Sequence, residues 1–300
     1  MLILSSIVNI QPELFDFVIE HNDENPDNKF NFLFTYYYAS NKGITKKLKE
    51  LQHKRNFKSY LDSGVFSMLY SKKGNFIVTL DGLIKYYHEN KDLYDFVFNF
   101  DIGTYKEQIE NWKEMWRQDV PCIPIFHSRQ NRGGFPINSE VYDAVMDNNP
   151  FDETGYMAIG CYDTKEAESF VSYCRQNKLT LPRIHGLGLE NPLETLKVPF
   201  YSVDISYIRS SELGRLHWFD YDKFIVKTGR ETRLTKMGLK ILEIFGINAN
   251  DYLNQHYIKK GETMRIPAVN RSILNIKLRI DLQKLYTDIW NSRDVFWKII

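Results

Sequence analysis

Short, nearly continuous apolar runs alternate along this chain with longer segments whose apolar positions recur every three or four residues. Runs of the first kind suit strands buried on both faces, and the second kind suits amphipathic helices. Residues 30–38 are an aromatic run suited to a strand, followed by a basic helix over about 43–55. Residues 59–62 are the next strand, and Thr79-Leu80-Asp81 opens a helix with Leu83, Ile84, Tyr87 and Leu93 on its apolar side. A strand over 96–101 precedes a helix over 104–118, where Tyr105, Ile109, Trp112 and Trp116 form one stripe. Further strands are expected at 122–127, 157–161, 183–188 and 200–204, with helices at 139–147, 164–177 and 192–197 between them. Ala167, Phe170, Val171 and Cys174 should face inward on the second of these helices. Residues 9–29, rich in Asn, Asp and Glu, read as a lead-in segment, and 128–138 as a polar loop.

Counting from Phe32, this gives seven strands separated by helices, with a candidate eighth over 218–226. Repeated βα units with continuous apolar strands imply a parallel sheet. Eight of them predict an α/β fold of the TIM-type (β/α)8 class, whose active site lies at the C-terminal strand ends. The barrel is expected over residues 1–228, and 229–300 as a basic, helical C-terminal region packed on it. A doubly wound open sheet is the alternative, but neither GxGxxG nor a P-loop is present.

The strand ends carry the candidate chemistry. Asp62 and Asp204 each end a strand that is otherwise apolar, where a charge is costly unless it is solvated or paired. Two carboxylates across a barrel mouth can divide labour between attack on a sugar carbon and proton exchange with the leaving group. Either acid can instead cap a helix or pair with an arginine such as Arg209. Asp101 ends the Phe98-Asn99-Phe100 run and suits the amidine-like edge of a purine, or an N-cap for the following helix. His127 can bind substrate, bind metal or sit as a buried histidine, and His185 is open to the same readings. Gly160 and Gly186 would let a ligand approach the backbone. Phe66, just past Ser63-Gly64, can stack on a base or pack in the core.

Composition narrows the partners. The 300 residues are 43% hydrophobic and 26% charged, ordinary for a globular protein, with 15% aromatic. No run approaches the roughly 20 apolar residues of a membrane helix, and the N-terminus lacks the basic start of a signal peptide, so no membrane partner and a cytoplasmic location are expected. The three cysteines, Cys122, Cys161 and Cys174, are too widely spaced for a zinc motif and odd in number. Residues 1–150 carry 17 Lys and Arg against 20 Asp and Glu, whereas 205–300 carry 17 against 10, a local excess suited to a polyanion. The sequence leaves the oligomeric state unknown.

Taken in order, these residues resemble the tRNA-guanine transglycosylase superfamily, a family of TIM barrels with an Asp-Ser-Gly-Gly-(Phe/Tyr)-Gln motif. Asp62-Ser63-Gly64-Val65-Phe66-Ser67 matches at the acid, serine, first glycine and aromatic, and departs at Val65 and Ser67. Phe98-Asn99-Phe100-Asp101 looks like the next acid-bearing strand. Pro124-Ile125-Phe126-His127-Ser128 looks like a substrate-contacting strand end, where the family usually has Gln. Ala158-Ile159-Gly160, His185-Gly186-Leu187-Gly188 and Tyr201-Ser202-Val203-Asp204 look like its glycine and nucleophile strands. The family's zinc-site cysteines are absent, so no cofactor is expected. That absence and the short chain point to the branch of DNA-guanine transglycosylases found in phages and bacterial modification islands; a phage-encoded member would work in the host cytoplasm.

The resemblance implies exchange of guanine in DNA for a 7-deazaguanine base, such as 7-cyano-7-deazaguanine, through a covalent Asp–deoxyribose intermediate. It implies Asp204 as nucleophile and Asp62 as proton shuttle. Ser63, Gly64, Phe66, Asp101, His127, Gly160, His185 and Gly186 would bind the base. Arg209, Arg215, Lys227, Arg230, Arg233 and Lys236 would hold DNA phosphates. Three competing expectations are a metal-dependent TIM-barrel hydrolase using the same acids and histidines, an enzyme acting on RNA, and a nucleic-acid-binding barrel without catalysis.

Overall fold

The first strand of the chain closes the fold. β1 (Leu2–Ile7) lies parallel between β2 (Asn31–Thr35) and β9 (Ser202–Ile205), pairing Leu4 with Asn31 on one side and with Asp204 on the other. The computed structural model describes residues 1–7, 11–40, 43–70, 76–127, 139–147, 150–151, 154–160, 164–189, 191–205, 215–230, 243, 248, 258–260, 263–265 and 268–293. From β2 the parallel sheet continues through β3 (Ser59–Asp62), β4 (Phe96–Phe98) and β5 (Cys122–Ile123). From β9 it runs the other way through β8 (Arg183–Leu187), β7 (Tyr156–Gly160) and β6 (Ile125–His127).

β5 and β6 are one extended segment interrupted at Pro124, which has no N–H to give to a ladder. Asn99 spans the interruption: its N–H donates to Ile123 O (3.0 Å), and its Oδ1 accepts from Ile125 N–H (2.8 Å). Pro124 O accepts from Ala158 N–H at 2.7 Å on the far side. The sheet therefore comes round on itself, and nine strand segments fill eight positions of a (β/α)8 barrel.

Two expectations change. The strand anticipated over 218–226 is not in the barrel. β10 (Arg215–Asp220) and β11 (Ile225–Arg230) instead pair antiparallel as a separate hairpin. The eighth position belongs to β1, where two serines interrupt a short apolar run and the pairing partner β9 lies far along the chain. The lead-in is α1 (Pro12–Glu24), which buries Leu14, Phe15 and Val18. Its polar composition hides a structural role. Asn22 Oδ1 accepts from Phe30 N–H (2.7 Å) and its Nδ2 donates to Phe30 O (3.0 Å), fixing the entry to β2. The ring of Phe15 lies 4.9 Å from that of Phe32, which meets Phe57 edge-on at 4.9 Å. Each such buried ring contributes about 1.5–3 kcal/mol.

The strand expected over 30–38 ends at Thr35, where a short helix begins, and a further unexpected helix follows β3; the other helices fall where the periodicity places them. In chain order the helices after α1 are α2 (Tyr36–Ala39), α3 (Ile44–Leu51), α4 (Val65–Tyr70), α5 (Leu80–Asn90), α6 (Tyr105–Arg117), α7 (Ser139–Met146), α8 (Lys165–Gln176) and α9 (Pro192–Thr195). Thr79 caps α5, and Thr104 with Glu107 forms a capping box on α6. On α6 Ile109 and Trp112 are buried, with Gln108 and Met115, while Tyr105 and Trp116 stand at the margin. α8 buries Ala167, Phe170, Val171 and Cys174.

Alternation along the strands separates two apolar layers. Leu4, Leu33, Tyr60, Phe98, Ile125 and Tyr156 belong to the barrel interior, and their neighbours Ile3, Phe34, Leu61, Val97, Phe126 and Met157 face the helices. In the C-terminal region, β12 (Ile258–Lys260) and β13 (Thr263–Arg265) pair as a short hairpin, followed by α10 (Ala268–Ser292). α10 is pinned to the start of the chain. Gln283 Oε1 accepts from Ile3 N–H (2.7 Å), and its Nε2 donates to Asn28 Oδ1 (2.8 Å) and Lys29 O (3.1 Å). Among the described residues no helix is long and apolar enough to cross a membrane.

Candidate active site

Parity on the strands decides which polar residues meet. Asp62, His127 and Asp204 lie an even number of residues from Tyr60, Ile125 and Ser202, so they share the inward face at the C-terminal end. Asp101 lies three residues past Phe98, beyond the end of β4, and it joins them through hydrogen bonds. Its Oδ1 accepts from Ser63 Oγ (2.7 Å), and its Oδ2 lies 2.7 Å from His127 Nε2. Asp101 is thus the centre of a Ser63–Asp101–His127 cluster, not the cap of α6, which is Thr104.

The three acids differ in their surroundings. Burial alone would push the Asp101 carboxyl up, but the His127 and Ser63 hydrogen bonds and the nearby imidazole outweigh it and hold the group below its ordinary value. Among the described residues Asp62 has no basic partner. Burial, then the charge of Asp101, then that of Asp204, push it up to about 8, against only the Gly64 and Ser63 backbone N–H groups. Asp62 Oδ2 accepts the Gly64 N–H at 3.0 Å. Asp204, 7% exposed, is held through Oδ1, which takes the Gly188 N–H at 2.7 Å and faces His185 Nε2 at 3.4 Å. The mouth therefore holds a carboxyl protonated at neutral pH beside two others.

The glycines separate by what surrounds them. Gly64 has φ +81°, and a Cβ there would stand 2.6 Å from Tyr37 Cβ and 2.8 Å from Tyr37 N, so the sharp turn after Asp62 requires glycine. A Cβ on Gly160 would lie 2.5 Å from His127 Nδ1; the space it leaves holds the His127 ring. Gly186 faces the helical layer, where a Cβ would meet Phe200 at 3.1 Å and Val203 Cγ1 at 3.3 Å, so packing there accounts for its small size. Phe66, on the first turn of α4, is 51% exposed. Leu69, Ile77, Ile102 and Leu193 are also exposed, all on segments that follow β3, β4 or β8 at the same end of the barrel. A cleft of about 610 Å³ opens at the opposite end, among Lys29, Lys58, Tyr201 and Lys284.

His185 is fully buried beneath Asp204, with its Nδ1 2.7 Å from Ser202 Oγ, which in turn lies 2.7 Å from Tyr156 Oη. Tyr156, Ser202 and the Gly188 N–H carry no charge that marks them in the sequence. Two-residue spacing, His185 to Leu187 and Ser202 to Asp204, is the signal that puts them on the inward face. Of the basic residues, Arg215 begins β10 and its backbone pairs with that of Arg230, while Lys227 is ion-paired with Asp220. Arg209, Arg233 and Lys236 lie outside the described residues. Among the described residues no three His, Cys, Asp or Glu side chains converge as a metal-ligand set.

No protein-family model and no curated protein matches the sequence, so the transglycosylase resemblance rests on the residues quoted for it. Among solved structures, the chain is similar to the tryptophan synthase α-subunit of the hyperthermophile Pyrococcus furiosus, at 10% identity and a TM-score of 0.42, over 69% of this chain and 86% of that one. The barrel itself is established by the strand order: a parallel ring with helices between its strands and acids at its C-terminal mouth.

Proposed function

We propose that this chain is a base-exchanging glycosyltransferase, a DNA-guanine transglycosylase that replaces guanine with a 7-deazaguanine base. The observation that carries the reading is the unequal surroundings of Asp62 and Asp204 in one mouth. Asp62 is pushed up to about 8, and Asp204 is anchored through one oxygen only. An acid that is protonated at neutral pH beside an anchored carboxylate is what a double displacement at a sugar carbon needs.

Asp204 Oδ2 forms a bond to C1′ as the C1′–N9 bond of deoxyguanosine breaks. The electron pair leaves with guanine, which takes the proton of Asp62. The incoming deazaguanine then gives its N9 proton to the Asp62 carboxylate, its nitrogen bonds C1′, and Asp204 departs as a carboxylate. The target nucleotide must leave the stack to reach this depth, and Phe66 offers an exposed ring at the rim for it. Asp101 and His127 would read the base edge through atoms still facing the mouth. Arg215 and the basic C-terminal segment would hold phosphates. The chemistry requires no cofactor.

The test is incubation with guanine-labelled DNA and 7-cyano-7-deazaguanine, followed by nucleoside mass spectrometry. Loss of label with a matching new nucleoside is expected, and Asp204→Asn should abolish both exchange and covalent capture of DNA. Undiminished exchange in Asp204→Asn would overturn the assignment.

A further inference from the structure

Beneath Asp204 the barrel interior carries a polar chain that the base-exchange chemistry does not use directly. Tyr156 Oη lies 2.7 Å from Ser202 Oγ, and Ser202 Oγ lies 2.7 Å from His185 Nδ1. His185 Nε2 faces Asp204 Oδ1 at 3.4 Å, longer than a well-formed hydrogen bond. The imidazole is fully buried, with the Phe98 ring 4.9 Å away, so it cannot reach a substrate in the mouth.

With one proton on the ring, the donors can run in two directions. In one, His185 Nδ1–H donates to Ser202, and the bare Nε2 lone pair faces a carboxylate. In the other, Tyr156 donates to Ser202, Ser202 donates to Nδ1, and Nε2–H points at Asp204. The second puts a donor against the carboxylate, where Nε2 is buried without a hydrogen bond of its own, and the two bonds behind it polarise each other in the same sense. Burial raises the Tyr156 hydroxyl, so it stays a donor across the working range. The same oxygen of Asp204 also takes the Gly188 N–H at 2.7 Å, while Oδ2 receives no hydrogen bond among the described residues.

We infer that Tyr156, Ser202 and His185 form a one-way donor relay that makes His185 a positioning residue for Asp204, fixing Oδ1 and leaving Oδ2 as the attacking atom. This rests on the base-exchange reading for its consequence, but not for its geometry. Hydrogen bonds to the ionised form favour that form. The relay therefore acts most in the second step, when Asp204 leaves C1′ and regains its charge.

Two measurements test it on the full-length protein. The first is ¹⁵N NMR of the His185 imidazole without substrate. A neutral ring protonated at Nε2 is expected, and Ser202→Ala should shift proton density to Nδ1. A wild-type ring protonated at Nδ1 would overturn the relay whatever the enzyme's substrate. The second uses a guanine-containing oligodeoxynucleotide with 7-cyano-7-deazaguanine. His185→Ala should lower kcat on the order of 100-fold, leave KM for the base within about twofold, and not reduce the fraction of protein captured as the DNA adduct. His185→Gln, whose amide N–H can stand where Nε2–H stood, should recover part of the rate. Loss of adduct in proportion to rate, or an unchanged rate, would overturn the role. If wild type exchanges no base at all, the base-exchange reading fails while the NMR result still decides the relay. If His185→Ala does not fold, His185→Gln and Ser202→Ala carry the same comparison.

Discussion

His127 Nε2 lies 2.7 Å from Asp101 Oδ2, and the charge this pair keeps adds to burial in raising a third residue, Asp62. By keeping Asp101 ionised, His127 maintains a negative charge beside Asp62, which answers by holding its proton. Asp62 and Asp101 thus part because both are buried and the imidazole stands against only one of them.

Asp62 should make stability fall as pH rises. Its folded-state pKa, about 8, stands above the ordinary value of 3.8. The folded protein therefore binds a proton that the unfolded chain has lost, and the stabilisation is full below about pH 4 and gone once pH passes about 8. Asp62→Asn removes this dependence. Its thermal midpoint should exceed that of wild type at pH 8.5 and match it near pH 4. An equal gain at both pH values would show that Asp62 does not hold a shifted proton.

Separating His127 from Asp101 should release Asp101 upward. A Cβ at Gly160 would stand 2.5 Å from His127 Nδ1, so Gly160→Ala must displace the ring and break its bond to Asp101. A hydrogen bond to a charged group contributes about 1.5–3 kcal/mol, and His127→Ala should cost a similar amount. In both variants the Asp101 carboxyl, followed by ¹³C NMR, should titrate above its ordinary range, because burial then dominates. An Asp101 titration that stays put in His127→Ala would refute the link.

Gly64→Ala and Phe66→Ala, two positions apart, should fail in different ways. At Gly64 the positive φ alone costs about 1–3 kcal/mol for another residue, and the Cβ would strike Tyr37 backbone. Loss of folded protein is expected. Phe66, 51% exposed, should change stability by less than about 0.5 kcal/mol. Its removal should weaken binding of a single-stranded guanine oligonucleotide by about 1–3 kcal/mol if the ring stacks on a base. Thermal melts and fluorescence titration separate the two.

The sequence by itself determined the class of fold and the candidate acids. Seven of the eight barrel strands were legible because strands buried on both faces are continuous apolar runs. The helices between them were legible because Thr79, Thr104 and the spacing of Ile109 with Trp112 are local signals. Asp62, Asp101, His127 and Asp204 stood out because each ends an apolar run with a charged or titratable group.

Only the tertiary structure decided how the ring closes and what each acid can do. β1 lacks a local signature, since its stability comes from β2, β9 and Gln283 of α10, all distant in the chain. The polarity of α1 masked a helix because one of its polar residues, Asn22, is a buried backbone clamp. The separation of Asp62 from Asp101 depends on which of them His127 reaches across the barrel, and burial of His185 under Asp204 depends on strand register. Composition records which groups are present, but protonation and orientation are set by neighbours that the chain brings together only when the sheet closes.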